Sequence, residues 1–390
     1  MEYRFSDKIA SLKPSAIREV LKATSVPGMI PFAAGNPAPD AFPVAEVQEI
    51  AADILKNRPI DALQYGVTEG YPELISLIKT RMKSKYGIGR DFDSIIITSG
   101  AQQVMDLSTK VLCNEGDVVI CESPSFIGSL NCYRGVPVDA DGMNIEALEK
   151  ALDENPNAKM IYTIPNFQNP AGVTMSLEKR HRLYELAKAH NVMILEDNPY
   201  GDLRVAGEDV PNIKSFDEDG IVIYSGSFSK ILAPGIRIGF TVAPAPVVAK
   251  MTVGKQAVDV HTTQLMQMIV AEWMKRYDVD EHIEKIRKIY RRKLNLMCDM
   301  IDSELGDAVS YVRPEGGLFI WCELPEDVDA LEFVKKSAEN MVALVPGTAF
   351  LTDVNGKSNA VRFNFSTPAD DKIVEGMKIL GRVLKEMRGE

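Results

Sequence analysis

Several features of exported, membrane-bound or metal-binding proteins are scarce in this sequence. Its 390 residues include 5 cysteines, an odd number without a CxxC pair, which argues against a disulfide framework or a zinc site. It has 4 histidines and no HExxH motif. No stretch approaches the roughly eighteen apolar residues of a membrane span, and the charged N-terminus lacks the apolar core of a signal peptide. We therefore expect a cytoplasmic protein without a metal or a membrane partner.

Positive charge is also in the minority. The formal net charge is −11, and no run of Lys and Arg could follow a nucleic-acid backbone. Nucleic acid is therefore excluded as the main partner. The hydrophobic share of 45% is nevertheless that of a globular protein with a sizeable core. A chain of this length suits two closely packed domains.

Short apolar runs alternate with helical patterns over the middle of the chain. Several runs are hydrophobic on both faces, as in parallel strands that helices cover on each side. We predict an α/β fold with a mostly parallel, doubly wound sheet in a large domain, residues 41–284. Its strands are expected at 94–98, 118–122, 160–165, 192–197, 221–227 and 238–243, and helices are expected at 43–57 and from Pro72.

The pattern changes after residue 243 to long helices and then to a smaller α+β section. Residues 285–390, together with residues 1–40, are predicted to form the small domain and an N-terminal lid segment. Helices are expected near 278–304, 329–340 and 370–387, and strands near 309–313, 317–323, 342–345 and 361–366.

Glycines and polar residues follow the strands of the predicted central sheet. In open α/β sheets, ligands bind at the carboxyl ends of the strands. A lysine there, Lys230, could form an imine, and Asp197 could pair with a protonated pyridine nitrogen. Asn169 and Tyr200 could bind a phenolic oxygen, and the Gly100 turn could hold a phosphate. Together these groups are typical of pyridoxal phosphate chemistry.

The motifs in this order resemble one enzyme family. They are SGAQQ, NFQNPAG, EDNPYGDL, SFSKILAPGIRIG and VRFNFS. Over essentially its whole length the chain is similar to class I/II aminotransferases of fold type I, in the branch of aminoadipate and kynurenine aminotransferases. The resemblance implies pyridoxal 5′-phosphate as cofactor and a homodimer with shared active sites. It also implies a ping-pong reaction between an L-amino acid, of aminoadipate, aromatic or branched aliphatic type, and a 2-oxo acid such as 2-oxoglutarate.

The resemblance also implies roles for single residues. Lys230 would carry the cofactor as a Schiff base and move the proton, and Asp197 would keep the pyridine nitrogen protonated. Asn169 and Tyr200 would hold the ring hydroxyl oxygen. The phosphate would be held by Gly100, Ala101, Gln102, Ser227, Ser229 and Arg237.

Two positions depart from the usual family pattern. Phe126 stands where a tyrosine often stacks on the cofactor ring, so stacking is retained and a hydroxyl contact is lost. Ala101 stands where a serine is common, so one phosphate contact would come from the backbone alone.

The substrate contacts follow from the same resemblance. Arg362 matches the residue that binds the substrate α-carboxylate, for which a planar guanidinium is suited. Tyr65 resembles a tyrosine that reaches the phosphate of the neighbouring subunit. Gly35 and Asn36 would line the pocket. Arg18, on a segment resembling a helix that closes over the site, would recognise an acidic substrate side chain.

Three other functions can be weighed against this one. Ser227-Phe228-Ser229-Lys230 is formally the SxxK motif of serine acyl-transfer enzymes, but no KTG follows it. Bacterial regulators carry this fold as a non-catalytic effector sensor, usually behind a DNA-binding helix-turn-helix, for which we expect no room before residue 12. A β-lyase, decarboxylase or racemase on the same fold stays open, although the Arg362 match favours transamination.

Overall fold

The computed structural model describes residues 3–6, 26–126, 133–353 and 355–390. Within these residues it contains fourteen strands and eleven α-helices. The strands are β1 (Ile30–Pro31), β2 (Asp93–Thr98), β3 (Val118–Ser123), β4 (Tyr133–Asp139), β5 (Gly142–Met143), β6 (Ala158–Thr163), β7 (Met193–Asp197), β8 (Val222–Ser227), β9 (Gly239–Pro244), β10 (Ser310–Tyr311), β11 (Phe319–Glu323), β12 (Val342–Ala343), β13 (Val345–Pro346) and β14 (Ala360–Asn364). The helices are α1 (Val44–Asn57), α2 (Pro59–Leu63), α3 (Pro72–Tyr86), α4 (Ala101–Leu112), α5 (Ile145–Glu154), α6 (Leu177–Ala189), α7 (Ala245–Gln256), α8 (Gln264–Arg276), α9 (Val279–Glu304), α10 (Ala330–Glu339) and α11 (Asp370–Arg388).

An eight-stranded sheet occupies the first two thirds of the chain. Its order is β2-β9-β8-β7-β6-β3-β4-β5. Strands β4, β3, β6, β7 and β8 pair in parallel, whereas β9 is antiparallel to both β2 and β8. Strand β9 thus runs opposite to its neighbours, and β2 again points in the direction of β8. The predicted mostly parallel α/β sheet is confirmed.

Two strands of this sheet were not predicted. Strand β4 has the sequence YRGVPVD, in which Gly135 and Pro137 interrupt the apolar pattern that marks a buried strand. Strand β5 has only two residues and pairs antiparallel with β4. Both lie at one edge of the sheet, where burial demands less of the sequence.

A second, antiparallel sheet lies in the last third of the chain. Its order is β10-β11-β14-β13. Helix α9 packs against α11 and is capped at its N-terminus by Asp278, whose side chain accepts hydrogen bonds from the N–H groups of Asp280 and Glu281. Its buried residues recur every three or four positions, as in an amphipathic helix. The predicted α+β section after residue 243 is therefore observed, with strand ends that differ by a few residues.

Residues 30–32 contact the last third of the chain. Strand β1 pairs in parallel with β12, and the N–H of Asn364 donates to the carbonyl of Phe32 at 2.8 Å. The predicted grouping of residues 1–40 with residues 285–390 and its boundaries stay a prediction. No helix of the described residues is both long and apolar enough to span a bilayer.

Candidate active site

The loops that follow four strands meet at one edge of the central sheet. Strands β2, β6, β7 and β8 run in the same direction, so their carboxyl ends lie at the same side. The loop after β8 carries Lys230, and β7 ends at Asp197. The other two loops carry the Gly100 turn and Asn169. The side chains that lie far apart in the sequence are therefore neighbours in the fold.

Lys230 has no carboxylate partner among the described residues. Its Nζ donates to the carbonyl of Gly35 at 2.7 Å. Burial, together with the positive charges of Arg362 and Arg237, lowers the pKa of Lys230 from 10.5 to about 8. A lysine that titrates so near neutral pH has a substantial fraction of neutral, nucleophilic amine.

Asp197 presents an unpaired carboxylate oxygen. Its Oδ2 accepts a hydrogen bond from the Tyr162 hydroxyl at 3.1 Å, whereas its buried Oδ1 has no hydrogen-bond partner in the part of the chain described. Burial raises the pKa of Asp197 to about 6, against the opposing effect of the Ser225 and Tyr162 hydroxyls. A buried carboxylate oxygen without a donor is costly. The pyridinium N–H of pyridoxal phosphate would supply such a donor, so this residue fits the cofactor.

A turn and an arginine form an anion site beside Lys230. Gly100 has φ 80°, and a Cβ there would lie 2.3 Å from Arg237 Nη2. The backbone of Arg237 is also in the left-handed region, with φ 53°. Its Nη2 donates to the Ser99 carbonyl at 3.2 Å. Helix α4 begins directly after Gly100, so the N–H groups of Ala101 and Gln102 have no acceptor within the helix. An arginine over a helix N-terminus is a site for a phosphate.

Two serines complete this part of the site. Ser227 is the last residue of β8, and its Oγ accepts a hydrogen bond from the Ser229 N–H at 3.1 Å. Phe126, in the loop after β3, packs against the main core, and the neighbouring Ser125 N–H donates to Phe350 O at 2.9 Å. The structure thus places the predicted phosphate-binding and ring-stacking residues on loops of the same sheet edge.

Arg362 is buried without a counter-ion among the described residues. Its Nη1 donates to Asn169 Oδ1 at 2.8 Å and its Nη2 to the Ala33 carbonyl at 2.9 Å, whereas Nε has no partner. The guanidinium carbon lies 4.1 Å from the ring centre of Phe319 and 4.9 Å from that of Phe350. Burial lowers the pKa of Arg362 to about 10. A buried guanidinium with a free donor favours an anionic ligand.

The structure also describes three further predicted site residues, Tyr200, Gly35 and Asn36. Tyr200 is buried, packs edge-to-face on Phe319 at 5.9 Å, and has a pKa raised by burial. Gly35 lies against Lys230, and the Asn36 carbonyl accepts from the Ser366 and Thr367 hydroxyls at 2.7 and 2.8 Å. Gly35 thus contacts Lys230, Tyr200 contacts the Phe319 ring that lies against Arg362, and Asn36 follows Gly35 in the chain.

Tyr65 and Arg18 are not part of this arrangement. Tyr65 is 81% exposed, and its ring contacts His261 edge-to-face at 5.8 Å. The structure therefore does not bring Tyr65 to the Lys230 of its own chain. The predicted role of Arg18 falls outside the residues that the structure describes.

Sequence reasoning missed several residues that shape the site. Tyr162 had a detectable signal, because a tyrosine in a mostly buried strand needs a partner for its hydroxyl. Phe319 and Phe350, whose ring centres lie 4.1 and 4.9 Å from the Arg362 guanidinium carbon, had none, since a buried phenylalanine is an ordinary core residue. The carbonyl of Ala33 likewise carries no sequence signal.

The fold and the site together define the class of protein. A mostly parallel sheet with a lysine, a buried aspartate and an anion site at its carboxyl edge is the architecture of fold-type-I pyridoxal phosphate enzymes. The family model of aminotransferases class I and II matches residues 27–378 of the chain. The chain belongs to this family, it is a transaminase, and its cofactor is pyridoxal phosphate. The predicted family, fold class, enzyme class and cofactor are thus confirmed.

Several relatives align with this chain over nearly their whole length. Aromatic-amino-acid aminotransferase 1 of Thermococcus litoralis is 40% identical, over 99% of this chain and 95% of the relative. The 2-aminoadipate transaminase of Thermus thermophilus is 37% identical, over 98% of this chain and 96% of the relative. A crystal structure of a multiple substrate aminotransferase from Thermococcus profundus superposes with a TM-score of 0.94 and 37% identity, over 99% of this chain and 98% of that one.

Proposed function

We propose that this aminotransferase accepts amino acids of aminoadipate, aromatic or branched aliphatic type and uses 2-oxoglutarate as the acceptor. The observation that carries the proposal is the buried Arg362 beside Lys230, with a free Nε and no counter-ion among the described residues. Every amino acid and 2-oxo acid in such a reaction has an α-carboxylate to pair with it. The names of the relatives, an aromatic-amino-acid aminotransferase and a 2-aminoadipate transaminase, support the donor classes.

Lys230 is the residue proposed to hold the cofactor and to move the proton. When bound, pyridoxal phosphate supplies an electron sink for the electrons of the substrate Cα–H bond. With a pKa lowered to about 8, the Lys230 amine can both take and return a proton near neutral pH. Its hydrogen bond to the Gly35 carbonyl supports a role beside the proposed substrate pocket.

Asp197, Asn169 and Tyr200 are proposed to bind the cofactor ring. Although burial raises the pKa of Asp197 to about 6, the carboxylate is ionised at neutral pH and its Oδ1 can accept from the ring N–H. Asn169 and Tyr200 would bind the ring hydroxyl oxygen, and Phe126 would stack on the ring face. The phosphate would be bound by Gly100, Ala101, Gln102, Ser227, Ser229 and Arg237.

Arg362 is proposed to bind the substrate α-carboxylate. A carboxylate held by a guanidinium cannot leave easily, so this contact favours transamination over decarboxylation. The hydrogen bond from Arg362 to Asn169 Oδ1 joins the carboxylate site to the ring site. Gly35 and Asn36 would form the wall next to Lys230.

A homodimer is the proposed active unit. Apolar side chains are exposed around Tyr65, on α2 and after it, including Ile60, Leu63 and Val67. Val258 and Val260 are also exposed in the segment that carries His261, the ring partner of Tyr65. Apolar residues of this size in one region favour a subunit interface. Across it, Tyr65 would reach the phosphate of the neighbouring site.

The test is the absorption spectrum of purified protein before and after adding an amino donor. The wild type should show a visible band that disappears with glutamate and returns with 2-oxoglutarate. Lys230→Ala should show no such band, whereas Lys188→Ala, an exposed lysine paired with Asp219, should keep it. The same readout then ranks aminoadipate, aromatic and branched donors.

Two results would contradict the proposal. A wild-type protein without a visible band after addition of cofactor would show that Lys230 does not hold it. Release of ammonia and a 2-oxo acid from an amino acid that carries a leaving group on Cβ, without any added 2-oxo acid, would instead indicate β-elimination on the same fold.

A further inference from the structure

A buried lysine lies directly behind the proposed phosphate turn. Lys255, in the last turn of α7, is fully buried. Its Nζ donates to Gln103 Oε1 at 2.7 Å, to both carboxylate oxygens of Asp259 at 2.9 and 2.8 Å, and to Thr262 Oγ1 at 2.9 Å. These acceptors use all the donors of the ammonium group. Lys255 therefore has no hydrogen left for a phosphate.

The partners of Lys255 hold Ser99 by its side chain and its backbone. Ser99 Oγ donates to Asp259 Oδ2 at 2.9 Å, and the Ser99 N–H donates to Gln103 Oε1 at 2.8 Å. Gln103 Nε2 also donates to Asp259 Oδ2 at 2.9 Å, which closes the cluster. Contacts on the side away from the proposed phosphate thus set the orientation of Ser99.

Ser99 in turn holds the residues that face the phosphate. Its carbonyl accepts from Arg237 Nη2 at 3.2 Å, and the next residue is Gly100, over which the Arg237 guanidinium lies. The peptide after Ser99 leads into the first turn of α4, which supplies the free N–H groups. A rotation of Ser99 would therefore displace both the arginine and the turn.

The charges of the cluster cancel, so its contribution is positional. Burial lowers the pKa of Lys255, and Asp259 opposes this change. The pKa of Asp259 is lowered in spite of burial, through hydrogen bonds from Lys255, Gln103 and Ser99. An ion pair of opposite charges at hydrogen-bond distance attracts a more distant phosphate only weakly.

We propose that Lys255 and Asp259 are positioning residues for the cofactor phosphate, which act through Ser99 on Arg237 and on the Gly100 turn. The inference rests on the proposed phosphate site. It adds two residues that do not touch the phosphate but determine how well the site discriminates a phosphorylated from an unphosphorylated ligand.

The same cluster extends toward the proposed subunit interface. The Thr262 carbonyl accepts from Gln267 Nε2 at 2.7 Å and lies 2.8 Å from His261 Nδ1. The Gly66 N–H donates to His261 Nε2 at 3.3 Å, and the Tyr65 ring packs on His261. Because Tyr65 is proposed to reach the neighbouring phosphate, a disturbed cluster would weaken phosphate binding at both sites of a dimer.

The test compares two ligands that differ only in the phosphate. Dissociation constants of pyridoxal phosphate and of pyridoxal are measured by fluorescence titration of the cofactor-free protein. The phosphate preference is the dissociation constant of pyridoxal divided by that of pyridoxal phosphate. Lys255→Met should reduce this ratio at least about tenfold, and the dissociation constant of pyridoxal should stay within about twofold of its wild-type value. Asp259→Asn, which retains the shape of the side chain, should lower the ratio in the same direction.

Two further variants separate positioning from folding. Lys255→Met leaves Asp259 partly buried without its cation, which destabilises the fold by itself. The double change Lys255→Met with Asp259→Leu removes both charges, so it should recover the melting temperature but not the phosphate preference, since Ser99 Oγ then lacks Asp259 as its acceptor. Lys293→Met is the control, because Lys293 is also a buried lysine but donates to the Pro368 carbonyl, away from the turn.

Each alternative outcome overturns the inference. An unchanged ratio in Lys255→Met and Asp259→Asn would show that the cluster does not position the phosphate site. An equal loss of affinity for pyridoxal and pyridoxal phosphate would show a general structural role. If the wild type binds both ligands equally, the phosphate site itself is wrong and the proposed function fails with it.

Discussion

Arg362 and Asn169 are joined by a hydrogen bond of 2.8 Å, although 193 residues separate them in the chain. Arg362 belongs to β14 in the antiparallel sheet, whereas Asn169 lies in the loop after β6 of the central sheet. The bond uses Nη1, and Nε stays free for a ligand. The proposed carboxylate site and ring-oxygen site are therefore joined by one contact between the two sheets.

Arg362→Lys should separate substrate binding from cofactor binding. Lysine keeps the positive charge but cannot donate at once to Asn169, to the Ala33 carbonyl and to a carboxylate. We expect kcat/KM for amino donors to fall about 100-fold, with the visible cofactor band retained. Steady-state kinetics and the absorption spectrum measure the two effects.

The control for this change is Arg182→Lys, at an exposed arginine paired with Glu149, which should leave kcat/KM unaltered. A kcat/KM for Arg362→Lys within about twofold of the wild-type value would show that the planar guanidinium is not used.

The rate at which cofactor-free protein captures pyridoxal phosphate should depend on the protonation of Lys230. Only the neutral amine attacks an aldehyde, and the pKa of Lys230 is lowered to about 8. The capture rate should therefore rise as the pH rises through about 8 and level off above it. Stopped-flow absorption at the visible band gives the pH profile.

The pH profile of the capture rate should shift in Arg362→Leu. The positive charge of Arg362 is one cause of the lowered pKa of Lys230, so its removal should shift the midpoint to higher pH. A wild-type midpoint near the ordinary lysine value of 10.5 would contradict both expectations.

Gly100→Ala should weaken phosphate binding selectively. A Cβ at this position would lie 2.3 Å from Arg237 Nη2, and φ 80° is strained for alanine. We expect the dissociation constant of pyridoxal phosphate to rise at least about tenfold, because the guanidinium must move. Isothermal titration of the cofactor-free protein measures the constant.

A matched control lies in the same region of the site. Gly235 is two residues before Arg237, and a Cβ there would have nothing within 4 Å. Gly235→Ala should leave the constant unchanged. If both alanine variants bind the cofactor equally well, the Gly100 turn is not the phosphate site.

Hybrid dimers test the proposed role of Tyr65. If Tyr65 acts across the interface, each active site combines Lys230 of one subunit with Tyr65 of the other. Tyr65→Ala and Lys230→Ala then remove residues that different subunits contribute to a site. Mixing equal amounts of the two variants should restore up to about a quarter of the wild-type activity, since half of the dimers are hybrids with one intact site each. Activity after subunit exchange is the measurement. No recovery above the separate variants, with exchange verified, would exclude a shared site.

Much of the central sheet and the proposed site residues could be predicted from local patterns. Buried parallel strands need apolar residues on both faces, so β7 and β8 are visible as apolar runs. Lys230 and Asp197 follow those runs, and the carboxyl ends of parallel strands meet at one edge. The edge strands β4 and β5 could not be predicted, because edge positions tolerate Gly135 and Pro137.

The sequence by itself determined the order of the strands along the chain, the residue types at their ends and the family to which they belong. Only the tertiary structure decided which contacts complete the site. Arg362 receives its orientation from Asn169, Ala33 and two aromatic rings, all remote in sequence. Lys255 reaches Ser99 through its partners Asp259, Gln103 and Thr262. Local patterns record burial and backbone preference, which act between near neighbours. Hydrogen bonds between distant segments leave no periodic signal, because they form only when the packed sheets bring those segments together.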